Sequence, residues 1–162
     1  MSAPENQVRP STPQAHSNSV EQKSPVSYEV TVMCDRYNEI LFNLFCVYAQ
    51  SVNGELYHTI DDQLNLMQDY GVIPRYMTKD DVITCFNHIA EKRNDNSKIK
   101  TANCLNYEAF VECICRVALA VYANPVLSKA SDSVGNKIAS FIETWNLGDE
   151  GKLALHREER KR

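Results

Sequence analysis

Cys85 and His88 stand three residues apart, so on a helix their thiol and imidazole would share one face, the spacing in this chain that suits a two-ligand zinc contact. Such a site would need Cys104 or Cys113 from a neighbouring helix. The simpler expectation is that the thiols pack as small hydrophobes and that His88 lies at the surface. Cys113 and Cys115 cannot grip one ion, because two residues of helix turn through about 200° and send the thiols to opposite sides. Two carboxylate pairs, Asp61-Asp62 and Asp80-Asp81, have the look of acid–base couples. Each falls in the first turn of an expected helix, where an acidic side chain offsets the helix dipole and caps free N–H groups. His58 and His88 are the histidines of the helical segment, and neither has a Ser or Cys beside it in a nucleophile motif. The five glycines form no phosphate-binding loop. The expectation is a protein that is not an enzyme, with no catalytic residue, no metal ligand and no cofactor.

Basic residues form the more informative pattern. Lys92, Arg93, Lys98 and Lys100 crowd the segment 92–100, opposed there by Asp95 alone and without apolar periodicity. In a chain with 17 Lys and Arg against 21 Asp and Glu, net charge -4, this finger reads either as a solvated loop or as a docking point for an acidic protein surface. Arg157, Arg160, Lys161 and Arg162 supply a second candidate, within a charged tail expected over 148–162. Neither cluster alternates with exposed aromatic residues and the net charge is negative, so no nucleic-acid partner is expected. The longest uncharged apolar stretch, Val117 to Leu127, falls well short of the ~20 residues that span a bilayer, so no membrane partner is expected either. The first residues carry neither the basic cap and apolar run of a secretory signal nor an Arg-rich amphipathic segment. A cytoplasmic protein with six reduced, free cysteines is the expectation that follows.

These side chains need a scaffold. Residues 1–27 hold four of the six prolines, six serines and no aromatic residue, too little apolar area to offset an ordering cost of about 1 to 2 kcal/mol per residue. A disordered or extended arm is expected there. Over 28–147 apolar residues recur at helical spacing. Tyr37, Ile40, Leu41, Leu44, Phe45 and Tyr48 stripe a first helix from about Cys34 to Ser51, with Phe42, Cys46 and Ala49 on its flank, apolar enough all round to predict deep burial. Ile60, Leu64 and Met67 form a second, opened by Thr59 and Asp62 and stopped by Gly71. Val82, Ile83, Phe86, Ile89 and Ala90 form a third, with Thr78 and Asp81 repeating the start signal.

Tyr107, Phe110, Ile114, Val117 and Val121 form a fourth helix, ended by Asn124-Pro125. Its charged Glu112 and Arg116 pair four residues apart on the one wet face, so the helix belongs either at the centre of the core or under a partner. Val134, Ile138, Phe141, Ile142 and Trp145 form a fifth, capped by Ser131 or Asp132 and closed near Gly148. Phe45, Phe86, Phe110 and Ile114 are expected in one core. Two helix-loop-helix units in succession, an EF-hand-like pair plus a C-terminal helix, make the domain all-α with little strand. Leu105 to Phe110 reads as a loop end that enters a short strand and then the outgoing helix. Calcium is not expected. With Leu105 at loop position 8, Lys98, Lys100, Ala102 and Ala109 occupy positions 1, 3, 5 and 12, where oxygen ligands and a bidentate Glu are required. In the first loop Asn53, Glu55 and Asp61 lack the calcium-loop spacing.

The runs Asn53 to His58, Gln68 to Ile73, Met77 to Val82 with Phe86, and Leu105 to Phe110 resemble the core of the tubulin polymerization-promoting proteins. They are also similar to the degenerate EF-hand modules of axonemal proteins. The likeness covers roughly residues 40–122 and lies in apolar spacing, in Asp69-Tyr70-Gly71-Val72-Ile73 and in Thr78-x-Asp80-Asp81-Val82. Beyond Arg116 the chain departs from the family, and its loop Glu91 to Asn103 is longer. The resemblance implies a non-enzymatic structural or adaptor protein of a cytoskeletal assembly, bound to tubulin, microtubules or other cytoskeletal proteins in a cilium or flagellar axoneme. The alternative from another class is a soluble regulatory module that takes a helical peptide of a partner protein in an apolar groove.

Overall fold

The computed structural model describes residues 25–94, 103–129 and 132–162. Within them the chain runs through α1 (Pro25–Arg36), α2 (Asn38–Tyr48), β1 (Gln50–Val52), β2 (Glu55–Thr59), α3 (Ile60–Asp69), α4 (Lys79–Asn94), β3 (Cys104–Leu105), α5 (Tyr107–Val121), α6 (Val134–Thr144) and α7 (Glu150–Arg160). The fold is predominantly helical, with a small three-stranded antiparallel sheet ordered β1-β2-β3. The expected arm falls on residues outside the described ones, except that its last three residues open α1.

The first expected helix is two helices. The chain turns at Tyr37 (φ -103, ψ 14), whose ring is buried and whose hydroxyl donates to Glu143 on α6. At the other end Ala49 adopts an extended conformation (ψ 151) and leads into β1 instead of prolonging α2 to Ser51. The stripe of α2 is buried as its spacing predicts, but its flank is not. Phe42 is 48% exposed, meeting Tyr107 edge-on at 5.3 Å, and Cys46 is exposed.

Asn53 (φ 52) and Gly54 (φ 82) are the two central residues of a hairpin in which Val52 faces Glu55. Positive φ at both positions matches the twist of the flanking strands, and Asn-Gly adopts it at little steric cost. At the far end of β2, His58 faces Leu105 and Thr59 faces Cys104 on β3. Thr59 and Asp62 then close a reciprocal capping box on α3, and Thr78 with Asp81 exchanges the same bonds at the start of α4. On α6 the cap is Ser133, whose hydroxyl accepts from Asn136 N–H. Ser131 lies outside the described residues, and Asp132 accepts instead from Lys129 N–H.

Residues 148–162, read from their charge as a solvated tail, carry α7. Asp149 caps it by accepting from Lys152 N–H, and Leu153 is buried where α7 packs on α2. The α6–α7 connection passes so near α2 that a Cβ on Gly148 would stand 2.7 Å from Ile40 Cδ1.

The apolar helix α5 lies at the centre, packed by α2, α4 and α6. Its two faces serve different cores. Phe110, Ile114, Val117 and Val121 join Phe45, Tyr48, Phe141 and Trp145 in the main cluster. Ala109 and Cys113, one turn apart, face α4 and join Phe86, Ile89, Ala90 and Leu105 in a second. Phe86 is therefore in a different core from Phe45, Phe110 and Ile114. The thiols of Cys113 and Cys115 do point to opposite sides, one into each cluster.

Candidate docking site

Leu153, His156 and Arg160 stand at spacings of three and four along α7 and so share one face, which packs on α2 and reaches Asp62 and Asp69 of α3. The His156 side chain is 12% exposed, its Nδ1 3.6 Å from Asp69 Oδ2 and 3.3 Å from Glu159 Oε2. Its ring stands beside Tyr48 and Tyr70, with centroids 6.1 and 5.8 Å away. Lys152 Nζ covers the Tyr70 ring at 5.1 Å. Burial, reinforced by the charges of Asp149 and Asp69, pushes the Tyr70 phenol up to about 12. The Tyr48 hydroxyl donates to Asp69 Oδ2 at 2.7 Å, and burial together with that bond raises its pKa. Arg160 stands over the Tyr48 ring, its guanidinium 4.1 Å from the ring centroid and Nη1 3.8 Å from Asp62 Oδ1.

Asp62 ties these elements together. It is 2% exposed and accepts from Gln50 Nε2 (3.1 Å), Thr59 N–H (2.9 Å) and Thr59 Oγ1–H (2.8 Å). One carboxylate thus joins the hairpin, the start of α3 and the end of α7. Asp62→Asn replaces an acceptor by an amide donor facing donors, and unfolding in urea should show a loss of about 1 to 2 kcal/mol. An unchanged midpoint would mean that the carboxylate is not the tie.

Between the end of α2 and the last turns of α7 opens a cleft of 540 Å³. Tyr48, Gln50 and Asp62 line one side, and Arg157, Arg160 and Lys161 the other. Three cations therefore face one carboxylate. Lys161 Nζ also reaches Glu158 Oε1 at 3.0 Å, but both side chains are mostly in solvent and the pair is screened. Arg157 and Arg162 are exposed.

The sequence candidates separate into two places. Arg157, Arg160 and Lys161 come together at the cleft. Lys92 lies elsewhere, on α4, 63% exposed with Nζ 3.5 Å from Glu112 on α5, and Arg116 approaches the same carboxylate at 4.0 Å. Arg93 is in the last turn of α4, its side chain outside the described residues, as are Lys98 and Lys100 altogether. Cys85 and His88 differ in burial. His88 is exposed, while Cys85 is half-buried toward Cys113, and burial raises both thiols. Among the described residues no cluster of three or more His, Cys, Asp or Glu could hold a metal ion, and no helix is long and apolar enough to cross a membrane.

Sequence reasoning missed Tyr48, Gln50 and Asp62 as one wall of the cleft, and α7 as the element that presents the other. A signal for α7 was present, since Asp149 precedes an apolar and aromatic spacing of Leu153 and His156. Asn53-Gly54 was likewise a hairpin signal. No family model, curated protein or solved structure matches this chain.

Proposed function

We propose that the protein is a non-enzymatic adaptor of a cytoskeletal assembly, holding an acidic segment of its partner at the basic end of α7. The observation that carries this reading is the cleft in which Arg157, Arg160 and Lys161 face the single carboxylate Asp62. Arginine forks suit carboxylate-rich chains because each can donate two parallel hydrogen bonds. A local positive field on a chain of net charge -4 also orients an acidic partner toward one end. The resemblance to tubulin polymerization-promoting proteins makes a tubulin or microtubule surface the partner to test first, and a ciliary or flagellar axoneme the assembly.

The β2–β3 pairing, which links the α2–α3 unit to the α4–α5 unit, supports an EF-hand-like reading of the pair. Calcium-independence is supported where the first loop enters α3, since the Asp62 carboxylate there is taken up by Gln50, Thr59 and Arg160. The rival, a module with an apolar groove for a helical peptide, is less favoured because α2, α4 and α6 already cover the apolar face of α5.

Co-sedimentation of the full chain with microtubules tests the reading. Binding should weaken steadily with added salt, since exposed charge contacts are screened within about 8 to 10 Å at physiological ionic strength. Arg157→Glu combined with Lys161→Glu should weaken it about tenfold or more while leaving the melting temperature near that of the parent. Millimolar calcium should change neither. Absence of binding at low salt, or binding indifferent to the charge reversal, would remove the cleft as the docking element.

A further inference from the structure

Cys34 on α1 and Cys115 on α5 bring their sulfurs within 3.7 Å although they are 81 residues apart in the chain. Cys115 is 5% exposed and belongs to the main core, while Cys34 is partly buried against it from the surface helix. Neither lines the basic cleft. We propose that Cys34 and Cys115 are a site of reversible oxidation by hydroperoxides, closing to an intramolecular disulfide that fastens α1 to the core.

The two thiols are unequal in a way that assigns their roles. Either thiol can donate to the other at this distance; once Cys34 is ionised only the Cys115 S–H can, and that bond lowers the Cys34 pKa. The same bond and burial raise that of Cys115. Cys34, which solvent can reach from the surface helix, is the attacking sulfur, and Cys115, 5% exposed in the core, the resolving one. The Cys34 thiolate attacks the terminal oxygen of the hydroperoxide, the O–O bond breaks, and hydroxide (from hydrogen peroxide) or alkoxide (from an organic hydroperoxide) leaves and takes up the proton that Cys34 released, giving Cys34 sulfenic acid. Cys115 sulfur then attacks the Cys34 sulfur. The S–O bond breaks, and the Cys115 proton leaves with the departing hydroxide as water. Two thiols lose two electrons, the hydroperoxide gains them, and two oxygen-bearing products leave: two waters from hydrogen peroxide, or one water and the alcohol from an organic hydroperoxide.

The sulfurs must close to about 2.05 Å, and α1 is the element placed to yield. It rests on α6 through the bond from Gly135 N–H to Glu29 Oε2 (3.2 Å) and the contact of Met33 with Gly135, and it joins α2 at the turn on Tyr37. Tyr28 on its outer side is largely exposed. A covalent link from α1 to α5 holds in place the helix through which residues 1–24 join the core.

The full-length protein is treated with hydrogen peroxide, quenched with catalase, alkylated under denaturing conditions, and analysed by intact mass and peptide mapping. The expected product is a monomer lacking two hydrogen atoms, with the Cys34 and Cys115 peptides joined. Its melting temperature should rise by about 5 °C, and dithiothreitol should reverse both changes. Cys46→Ser, which removes the exposed thiol, should leave the linkage intact, and Cys34→Ser should abolish it. Cys115→Ser should leave Cys34 sulfenic acid, captured by dimedone. Alkylation of Cys34 and Cys115 as free thiols while Cys46 oxidises, or linkages that join other cysteines, would overturn the proposal.

Discussion

Phe110→Ala should lower the unfolding free energy by about 3 to 5 kcal/mol, a large part of the 5 to 15 kcal/mol that holds an ordinary domain together. The ring is fully buried where α2, β2 and α5 meet, with its centroid 5.4 Å from that of Phe45 and 4.7 Å from the His58 imidazole. Neither neighbour is free to fill the void. Phe45 is also packed against Tyr107 at 5.5 Å, and His58 is held by a hydrogen bond to Gln63. The loss therefore includes both the transfer term for the ring and the cavity left behind. Phe42→Ala, on the exposed flank of α2, serves as the comparison and should cost about 1 kcal/mol, because Phe42 is half-exposed and meets the Tyr107 ring only edge-on. Parallel thermal and urea unfolding of the two variants measures the contrast. If Phe110→Ala unfolded like Phe42→Ala, the central placement of α5 would be wrong.

The imidazole beside that ring leads to the second large effect. Lowering the pH from 6.5 to 4 should cost on the order of 3 kcal/mol of stability through His58 alone. His58 is fully buried, with Nε2 2.8 Å from Gln63 Oε1 and Nδ1 without a partner among the described residues. With Gln63 Oε1 as acceptor, Nε2 carries the proton and the ring is neutral. A second proton on Nδ1 would be a buried charge with no acceptor, and burial lowers the pKa to about 4. The Gln63 bond and the charge of Asp62 oppose this shift, while the charge of Arg160 adds to it.

Above pH 6.5 His58 is neutral in both folded and unfolded chains, and the full stability is present. Between 6.5 and 4 the unfolded chain takes up the proton and the folded one does not, so stability falls as the pH falls. Below 4 both forms are protonated and this contribution levels off. Imidazole resonances followed through an acid titration should place the His58 midpoint near 4. His58→Gln should unfold with a shallower pH dependence across that window, the carboxylates supplying the slope that remains. A folded-state midpoint near the ordinary value of 6.5 would rule the effect out.

Local chemistry was legible from the chain alone. Thr59 with Asp62 and Thr78 with Asp81 read as helix starts because a cap is made among residues three apart, whatever surrounds them. The stripes of α2 to α6 read correctly for a similar reason, since helical periodicity places neighbours three and four apart on one face. Basic character at Arg157, Arg160 and Lys161 was equally plain, because charge needs no fold to be counted.

Only the tertiary structure decided which face meets which. Phe86 and Phe110 have equal claims as mid-stripe aromatics, yet the two sides of α5 send them to separate clusters. Residues 148–162 have the composition of a solvated tail, and become a docked helix because Leu153 and His156 find Tyr48, Tyr70 and Asp69 from distant parts of the chain. The cleft has the same origin. Its cations come from α7 and its carboxylate from α3, nearly a hundred residues earlier, and the 3.8 Å approach of Arg160 to Asp62 exists only once both helices pack against α2. Cys34 and Cys115 likewise look like unrelated core thiols until α1 is laid along α6. Hydrogen bonds within a turn and apolar periodicity are set by near neighbours, whereas a cleft, a shared core or a thiol pair depends on distances that long-range packing alone creates.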